Sequence, residues 1–179
     1  IETYIFEDDV TGRRIAQSLM RAAQRGVTVH VMIDGFGSKD VSDEMLQEMR
    51  DAGVRVLTYR PDISPWTLRR ERLRRQHRKI TVVDARVAFV GGINVIDDMH
   101  TPRQIPPRFD YAVRIAGPLL ADIHPAVKRL WGIVMWTQPR RLWPQRASAV
   151  IQADPCGTQR AAFVVRDNFR HRNDIERAY

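Results

Sequence analysis

Val27-Thr28-Val29-His30-Val31-Met32-Ile33 is an almost unbroken apolar and β-branched run. A strand that alternated between core and solvent would show every second residue polar, so this run predicts a strand buried on both faces. The segments around it change period in a regular way. Glu2 to Phe6 predicts a short strand closed by Glu7-Asp8-Asp9. Ile15, Leu19, Met20 and Ala23 then recur at helical spacing between Thr11 and Arg25, with Gly26 as the stop. After the central run comes a loop, Asp34-Gly35-Phe36-Gly37-Ser38. A second helix starts near Ser42, carries Met45, Leu46 and Met49 on one face and stops at Gly53, and Val54 to Tyr59 is the next strand. This strand-helix alternation predicts an α/β fold with a mixed, largely parallel β-sheet covered by helices on both faces. Ligands of such sheets sit beyond the C-terminal strand ends, which singles out Glu7, Asp34, Ser38 and the loop after Tyr59. Loop solubility explains those polar residues equally well.

Downstream, residues 60–76 form a loop with Pro61, Pro65 and a dense arginine run at Arg69, Arg70, Arg72, Arg74 and Arg75. Trp66 and Leu68 lie beside the run, so it reads either as a solvated loop or as a contact for an anionic interface. Lys79 to Val83 and Val87 to Val90 predict two strands joined by a tight turn at Asp84-Ala85-Arg86. Tyr111 to Ile115 predicts another strand, and a helix follows Gly117-Pro118, with Pro125 expected to kink or restart it. Trp131, Ile133, Val134 and Trp136 are expected to fill a core rather than touch a membrane. Residues 138–160, with Pro139, Pro144, Pro155 and Gly157, read as a connector, and Ala161 to Val165 as a further strand. The first 137 residues are therefore expected to form one domain. Because Ile1 opens inside a strand and Tyr179 closes inside a helix-like segment, the chain is expected to be a fragment of a longer protein.

With 29 Lys and Arg against 21 Asp and Glu, the net charge is +8. Such a surface favours polyanions, either nucleic acid or an anionic membrane face. The lone Cys156 excludes an intrachain disulfide and a Cys-rich metal framework, and His30, His100, His124 and His171 follow no zinc-type spacing, so no metal or cofactor is implied. No signal peptide is expected from the first residues, and Leu130 to Trp136 is too short to cross a bilayer.

The chemistry concentrates at His77-Arg78-Lys79-Ile80-Thr81-Val82-Val83-Asp84, followed by Gly91-Gly92-Ile93-Asn94. Strand alternation places His77, Lys79 and Thr81 on one face. An imidazole beside an ammonium suits an anionic substrate: one attacks or moves protons while the other neutralises oxygen charge. The turn after Val90 can return Asn94 to the pair as another donor. Asp110, at the start of the Tyr111 strand, is a candidate to bind one imidazole nitrogen; it could equally pair with Arg108.

The pattern HxKxxxxDxxxxxxGGxN resembles the HKD motif of the phospholipase D superfamily. At typical residue frequencies its six fixed positions match by accident in on the order of one chain in 10^5 to 10^6. The similarity extends to Tyr4-Ile5-Phe6-Glu7-Asp8-Asp9, Ala22-Ala23-Gln24-Arg25-Gly26-Val27, the 34–38 loop, the segment from Asp110 to Pro118, and Arg166-Asp167-Asn168 with His171 to Glu176. These stretches look like bacterial cardiolipin synthases, particularly the B type.

What the resemblance implies is a phospholipase D-like lobe carrying one of two facing HKD motifs. His77 would be the nucleophile that forms a phosphatidyl-histidine, or the matching general acid. Lys79 and Asn94 would bind phosphate oxygens, with Gly91 and Gly92 letting the backbone turn close to the substrate. Asp84 would complete the catalytic motif in a structural role, and Asp110 would orient the imidazole. The substrates would be phosphatidylglycerol and an alcohol acceptor, handled peripherally at the cytoplasmic side of a bacterial inner membrane. A second lobe would come from beyond Tyr179, where 161–179 would begin it, or from a symmetric dimer mate. Three other readings stay open: a single-motif homodimeric nuclease, a lobe that only binds lipid or nucleic acid, and a hydrolase rather than a transferase.

Overall fold

The computed structural model describes residues 1–61, 75–100, 105–138, 149–155, 157–165 and 177. The elements run β1 (Glu2–Thr3), α1 (Val10–Gln24), β2 (His30–Asp34), α2 (Asp43–Asp51), β3 (Arg55–Tyr59), β4 (Lys79–Val83), β5 (Val87–Gly91), β6 (Ala112–Ile115) and α3 (Leu120–Thr137). The six strands form one sheet in the order β3-β2-β1-β4-β5-β6.

Side-chain chemistry at the helix ends explains the first two helices. Asp9 caps α1 by accepting from the Gly12 amide at 2.7 Å, and Ser42 caps α2 by accepting from the Met45 amide at 3.2 Å. Asp43 and Glu44 in the first turn of α2 and Arg50 in its last complement the helix dipole. Gly26 and Gly53 follow the two helices at φ +92° and +93°, a conformation that glycine adopts without a Cβ penalty.

Both faces of the sheet are covered. Val31, Ile33 and Val56 point to one side, where Ala16 of α1 and Met45, Leu46 and Met49 of α2 close over them. Met32 and Leu57 point to the other, against Leu130, Trp131, Val134 and Met135 of α3. The first turns of α3 continue this layer, setting Leu120 and Ile123 on Ile80 of β4 and Ala88 of β5.

The sheet is mixed as expected, but its parallel part is confined to β3-β2-β1. The pairings β1-β4, β4-β5 and β5-β6 are antiparallel. For β4-β5 the reason is connection length: the Asp84-Ala85-Arg86 turn is too short for a crossover, and its φ values of 52° at Asp84 and 53° at Ala85 suit a hairpin. The central strand is shorter than its sequence run, because pairing begins only at His30 and Val27 is 46% exposed. Likewise β1 pairs over two residues and resumes as a single parallel bridge between Phe6 and Val95.

Pro125 does not restart α3, which runs unbroken from Leu120 to Thr137. Its missing amide leaves the Ala121 carbonyl without its helical donor, and the later turns are held by packing on Met32 and Leu57. Val134 is buried and Trp131 packs beside it, but Ile133 and Trp136 lie on the outer side, 53% and 85% exposed, so only half of that quartet fills the core. No strand forms at Ala161 to Val165. Phe163 instead lays its ring against the Ile80 and Ala88 cluster, so the alternation there reflects one-sided packing without backbone pairing. The arginines at 69, 70, 72 and 74, with Trp66 and Leu68, lie outside the described residues, as does 166–176.

Candidate active site

His77 stands just ahead of β4, where the strand leaves the sheet centre beside the end of β1. Lys79 Nζ lies 3.2 Å from each ring nitrogen of His77 and 3.0 Å from its carbonyl oxygen. The Tyr4 ring lies underneath, 4.7 Å from the imidazole, and Lys79 Nζ stands 5.2 Å from the same ring. Burial and the neighbouring ammonium hold His77 below its usual titration range, opposed by the carboxylate of Asp34. Lys79 is likewise lowered by burial, with Asp110 pulling the other way. The imidazole therefore favours its neutral form beside the Lys79 amine.

Asn94 is anchored through the chain's first segment. Its Oδ1 accepts from the Ile5 amide at 3.0 Å, and the bridge next to it runs Val95 N to Ile5 O at 3.0 Å and Glu7 N to Val95 O at 2.9 Å. This engages the carbonyl end of the amide. Among the described residues Nδ2 has only a long contact of 3.5 Å to the Gly92 carbonyl, so it can serve a ligand.

The double glycine works differently from its expected role. Neither residue has a positive φ; what both permit is the close approach of the next strand. A Cβ on Gly91 would fall 2.1 Å from the Tyr111 carbonyl oxygen, and one on Gly92 would fall 2.7 Å from Asp110 Oδ1. Asp110 is thus pressed against Gly92 and acts electrostatically on Lys79. Among the described residues it makes no hydrogen bond to His77, so the expected carboxylate-imidazole contact is not formed. Asp84 sits exposed at the hairpin tip, at the far end of β4 from Lys79. It is not beside the imidazole, and only a role in the turn fits it.

The three strand-end candidates separate. Asp34 and Ser38 are fully or nearly fully buried, 0% and 3% exposed, and belong to the framework next to His77. Ser38 Oγ accepts from the Phe6 amide at 2.9 Å and donates to the Tyr4 carbonyl at 3.0 Å. Glu7 is half-buried, and burial and Asp40 raise it, with His100, Asp9 and Lys39 as its other titratable neighbours.

Sequence reading missed Tyr4 and a buried polar set under the motif. Gln76 and Arg78 alternate with His77 and so point to the opposite face. There Arg78 forms a two-point ion pair with Glu2, Nε to Oε2 at 3.0 Å and Nη2 to Oε1 at 3.0 Å, and Gln76 Nε2 donates to Glu2 at 3.2 Å. Only half of the signal lay in the sequence: Gln76 and Arg78 precede Ile80 at strand spacing, but their partner Glu2 is set by the β1-β4 register. Among the described residues no cluster of His, Cys, Asp and Glu is placed to hold a metal ion.

The α/β domain thus sets an imidazole-ammonium pair just ahead of β4 and holds Asn94 by its carbonyl end on the Ile5 amide. Comparison with known proteins gives the class. The family profile described as "cardiolipin synthase, PLD-like domain" matches residues 1–105, and the chain belongs to that family. It is 42% identical over its whole length to cardiolipin synthase B of Salmonella typhi, and 41% identical over its whole length to cardiolipin synthase B of Escherichia coli K12. Each match covers 43% of the relative's length, so the chain spans less than half of these proteins. Cardiolipin synthase A of Pseudomonas fluorescens is 36% identical across 73% of this chain and 27% of its own.

Proposed function

We propose that this chain is a catalytic lobe of a phospholipase D-type phosphatidyltransferase that makes cardiolipin from two molecules of phosphatidylglycerol. The observation that carries this reading is the contact of Lys79 Nζ with both ring nitrogens of His77, at 3.2 Å each. It pairs a neutral imidazole with the charge that a phosphodiester requires.

In this reading one imidazole nitrogen attacks phosphorus and the bond to the headgroup oxygen breaks. The departing glycerol takes a proton from a second imidazole. That second ring then removes a proton from the free hydroxyl of another phosphatidylglycerol. The resulting oxygen attacks phosphorus, the P–N bond breaks, and cardiolipin leaves. Lys79 Nζ and Asn94 Nδ2 stabilise the non-bridging oxygens throughout, and His77 supplies one of the two imidazoles. Residues 1–137 are the lobe and 138–160 the connector. The second HKD motif comes from the rest of a two-lobed chain or from a dimer mate, in keeping with relatives more than twice as long. No helix among the described residues is long and apolar enough to cross a membrane. In this reading the lobe meets the lipid surface peripherally, at the cytoplasmic side of a bacterial inner membrane.

The test uses the full-length protein, wild type and His77→Ala, with phosphatidylglycerol vesicles and separately with plasmid DNA, products being identified by mass spectrometry. Cardiolipin from wild type and none from His77→Ala is the expected result. Phosphatidic acid in place of cardiolipin would make the enzyme a hydrolase, and nicked DNA without a lipid product would make it a nuclease.

A further inference from the structure

We propose that Asp34 is a positioning residue for His77: its buried carboxylate ties the backbone on one side of the imidazole to the loop that supports Tyr4 on the other. The inference rests on reading His77 as the reacting group.

Asp34 ends β2 with its side chain 0% exposed. One oxygen accepts from the Phe36 and Gly37 amides, at 2.9 and 3.1 Å; the other accepts from the Gln76 amide at 2.7 Å. Among the described residues no cation forms an ion pair with it. A buried charge without a counter-ion is costly, and here three amide dipoles offset that cost. The two local bonds alone would suit an asparagine. The third reaches across 42 positions and needs a second acceptor. A carboxamide at this position that kept both loop bonds would present its NH2 group to the Gln76 N–H, donor against donor.

Gln76 is the residue before His77, so this bond fixes the backbone from which the imidazole projects. The loop that Asp34 organises closes from below. Ser38 donates to the Tyr4 carbonyl, and Gly37 approaches so closely that a Cβ would fall 2.3 Å from that oxygen. Tyr4 then meets the imidazole at 4.7 Å. The charged and titratable groups around His77 are Lys79 on β4, Asp34 on β2, Tyr4 after β1 and Arg75, whose guanidinium covers Phe36 at 4.4 Å. Asp110 lies behind Lys79.

The experiment compares Asp34→Asn and Asp34→Glu with wild type in the full-length protein. It measures kcat and KM with phosphatidylglycerol vesicles and follows the His77 imidazole by NMR titration. Asp34→Asn is expected to lower kcat about 100-fold with KM within about threefold, since small displacements of a reacting group cost that much. His77 should titrate lower than in wild type, because a negative neighbour has gone. Asp34→Glu is expected to lose kcat while His77 titrates near its wild-type position, since the charge stays and the contact with Gln76 moves. A folded Asp34→Asn with kcat within about twofold of wild type overturns the proposal. So does one with a lowered melting temperature but an unchanged His77 titration. Should neither variant fold, the Gln76 amide of wild type decides: slow exchange supports the bond and fast exchange overturns it. Failure of the lipid reading would leave the amide exchange and the His77 titration as predicted. Failure of the Asp34 reading would leave lipid activity intact in Asp34→Asn.

Discussion

The Tyr4 ring lies 4.7 Å from the His77 imidazole at an interplanar angle of 53°, and the ammonium of Lys79 stands 5.2 Å from the same ring. One aromatic face thus touches both members of the pair. An exposed imidazole would otherwise sample several rotamers, and holding it costs side-chain entropy that a rigid platform supplies in advance. Replacing Tyr4 by Leu is therefore expected to lower kcat about 10- to 100-fold with little change in melting temperature. Tyr4→Phe, which keeps the ring, should stay within about threefold of wild type. Steady-state assays on phosphatidylglycerol vesicles check this, and full activity in Tyr4→Leu would refute the platform.

The second expectation concerns pH. Burial and Lys79 hold His77 below its ordinary value of 6.5, so the neutral form that the proposed attack uses persists to lower pH. Activity should rise with pH along a limb that lies below 6.5. Lys79→Met removes the positive neighbour, which makes the imidazolium easier to form; the His77 titration then moves up and the limb follows it. The same change removes the cation proposed to bind phosphate and should cost about 10^2 to 10^3 in kcat/KM. Site-specific NMR titration of His77 reads the shift directly, and a downward movement would contradict the electrostatic account.

Most of the strand and helix order was legible because each segment shows one clear period. Val31, Ile33 and Val56 face α1 and α2 while Met32 and Leu57 face α3, which is why the β2 run has no polar alternation. The contact between His77 and Lys79 was legible for a related reason, since it follows from strand alternation. What sequence could not show depends on contacts distant along the chain. Asp34 reaches Gln76, Glu2 reaches Arg78, and Ile5 reaches Asn94. Asp110 failed its expected contact for a packing reason: the open side of Gly92 admits its carboxylate, so it rests there beside the ammonium side of the pair.

Asn94 carries two functions that substitution can separate. Its Oδ1 holds the Ile5 amide at 3.0 Å, and its Nδ2 is the end available to a ligand. Asn94→Asp keeps an acceptor for Ile5 but puts negative charge where the phosphate would sit. A loss of about 10^2 to 10^3 in kcat/KM is expected, with the melting temperature near wild type. Asn94→Leu loses the acceptor as well and should also destabilise the fold by about 1–3 kcal/mol, because the part-buried Ile5 amide loses its partner. Kinetics and thermal melts on the two variants separate the roles. Wild-type activity in Asn94→Asp would rule out the donor role.

The adjacent glycines give the last prediction, because the same substitution meets different atoms at the two positions. At Gly91 a new Cβ would lie 2.1 Å from the Tyr111 carbonyl oxygen and 2.5 Å from Ala112 Cα. Those are backbone atoms of the strand paired with β5, and they can move only if β5 and β6 separate. At Gly92 the nearest atom is Asp110 Oδ1 at 2.7 Å, the end of a side chain that can rotate away. Gly91→Ala should therefore destabilise by about 1–3 kcal/mol, which for a domain of this size lowers the melting temperature by several degrees. Gly92→Ala should leave stability within about 0.5 kcal/mol, as for a change that avoids rigid contacts. It should instead displace the Asp110 carboxylate from Lys79, so the ammonium loses the neighbour that supports its charge and kcat falls more than stability does. Thermal denaturation beside kcat for both variants tests this. A larger loss of stability at Gly92 than at Gly91 would mean that Asp110 is fixed in place and that β6, rather than its side chain, yields.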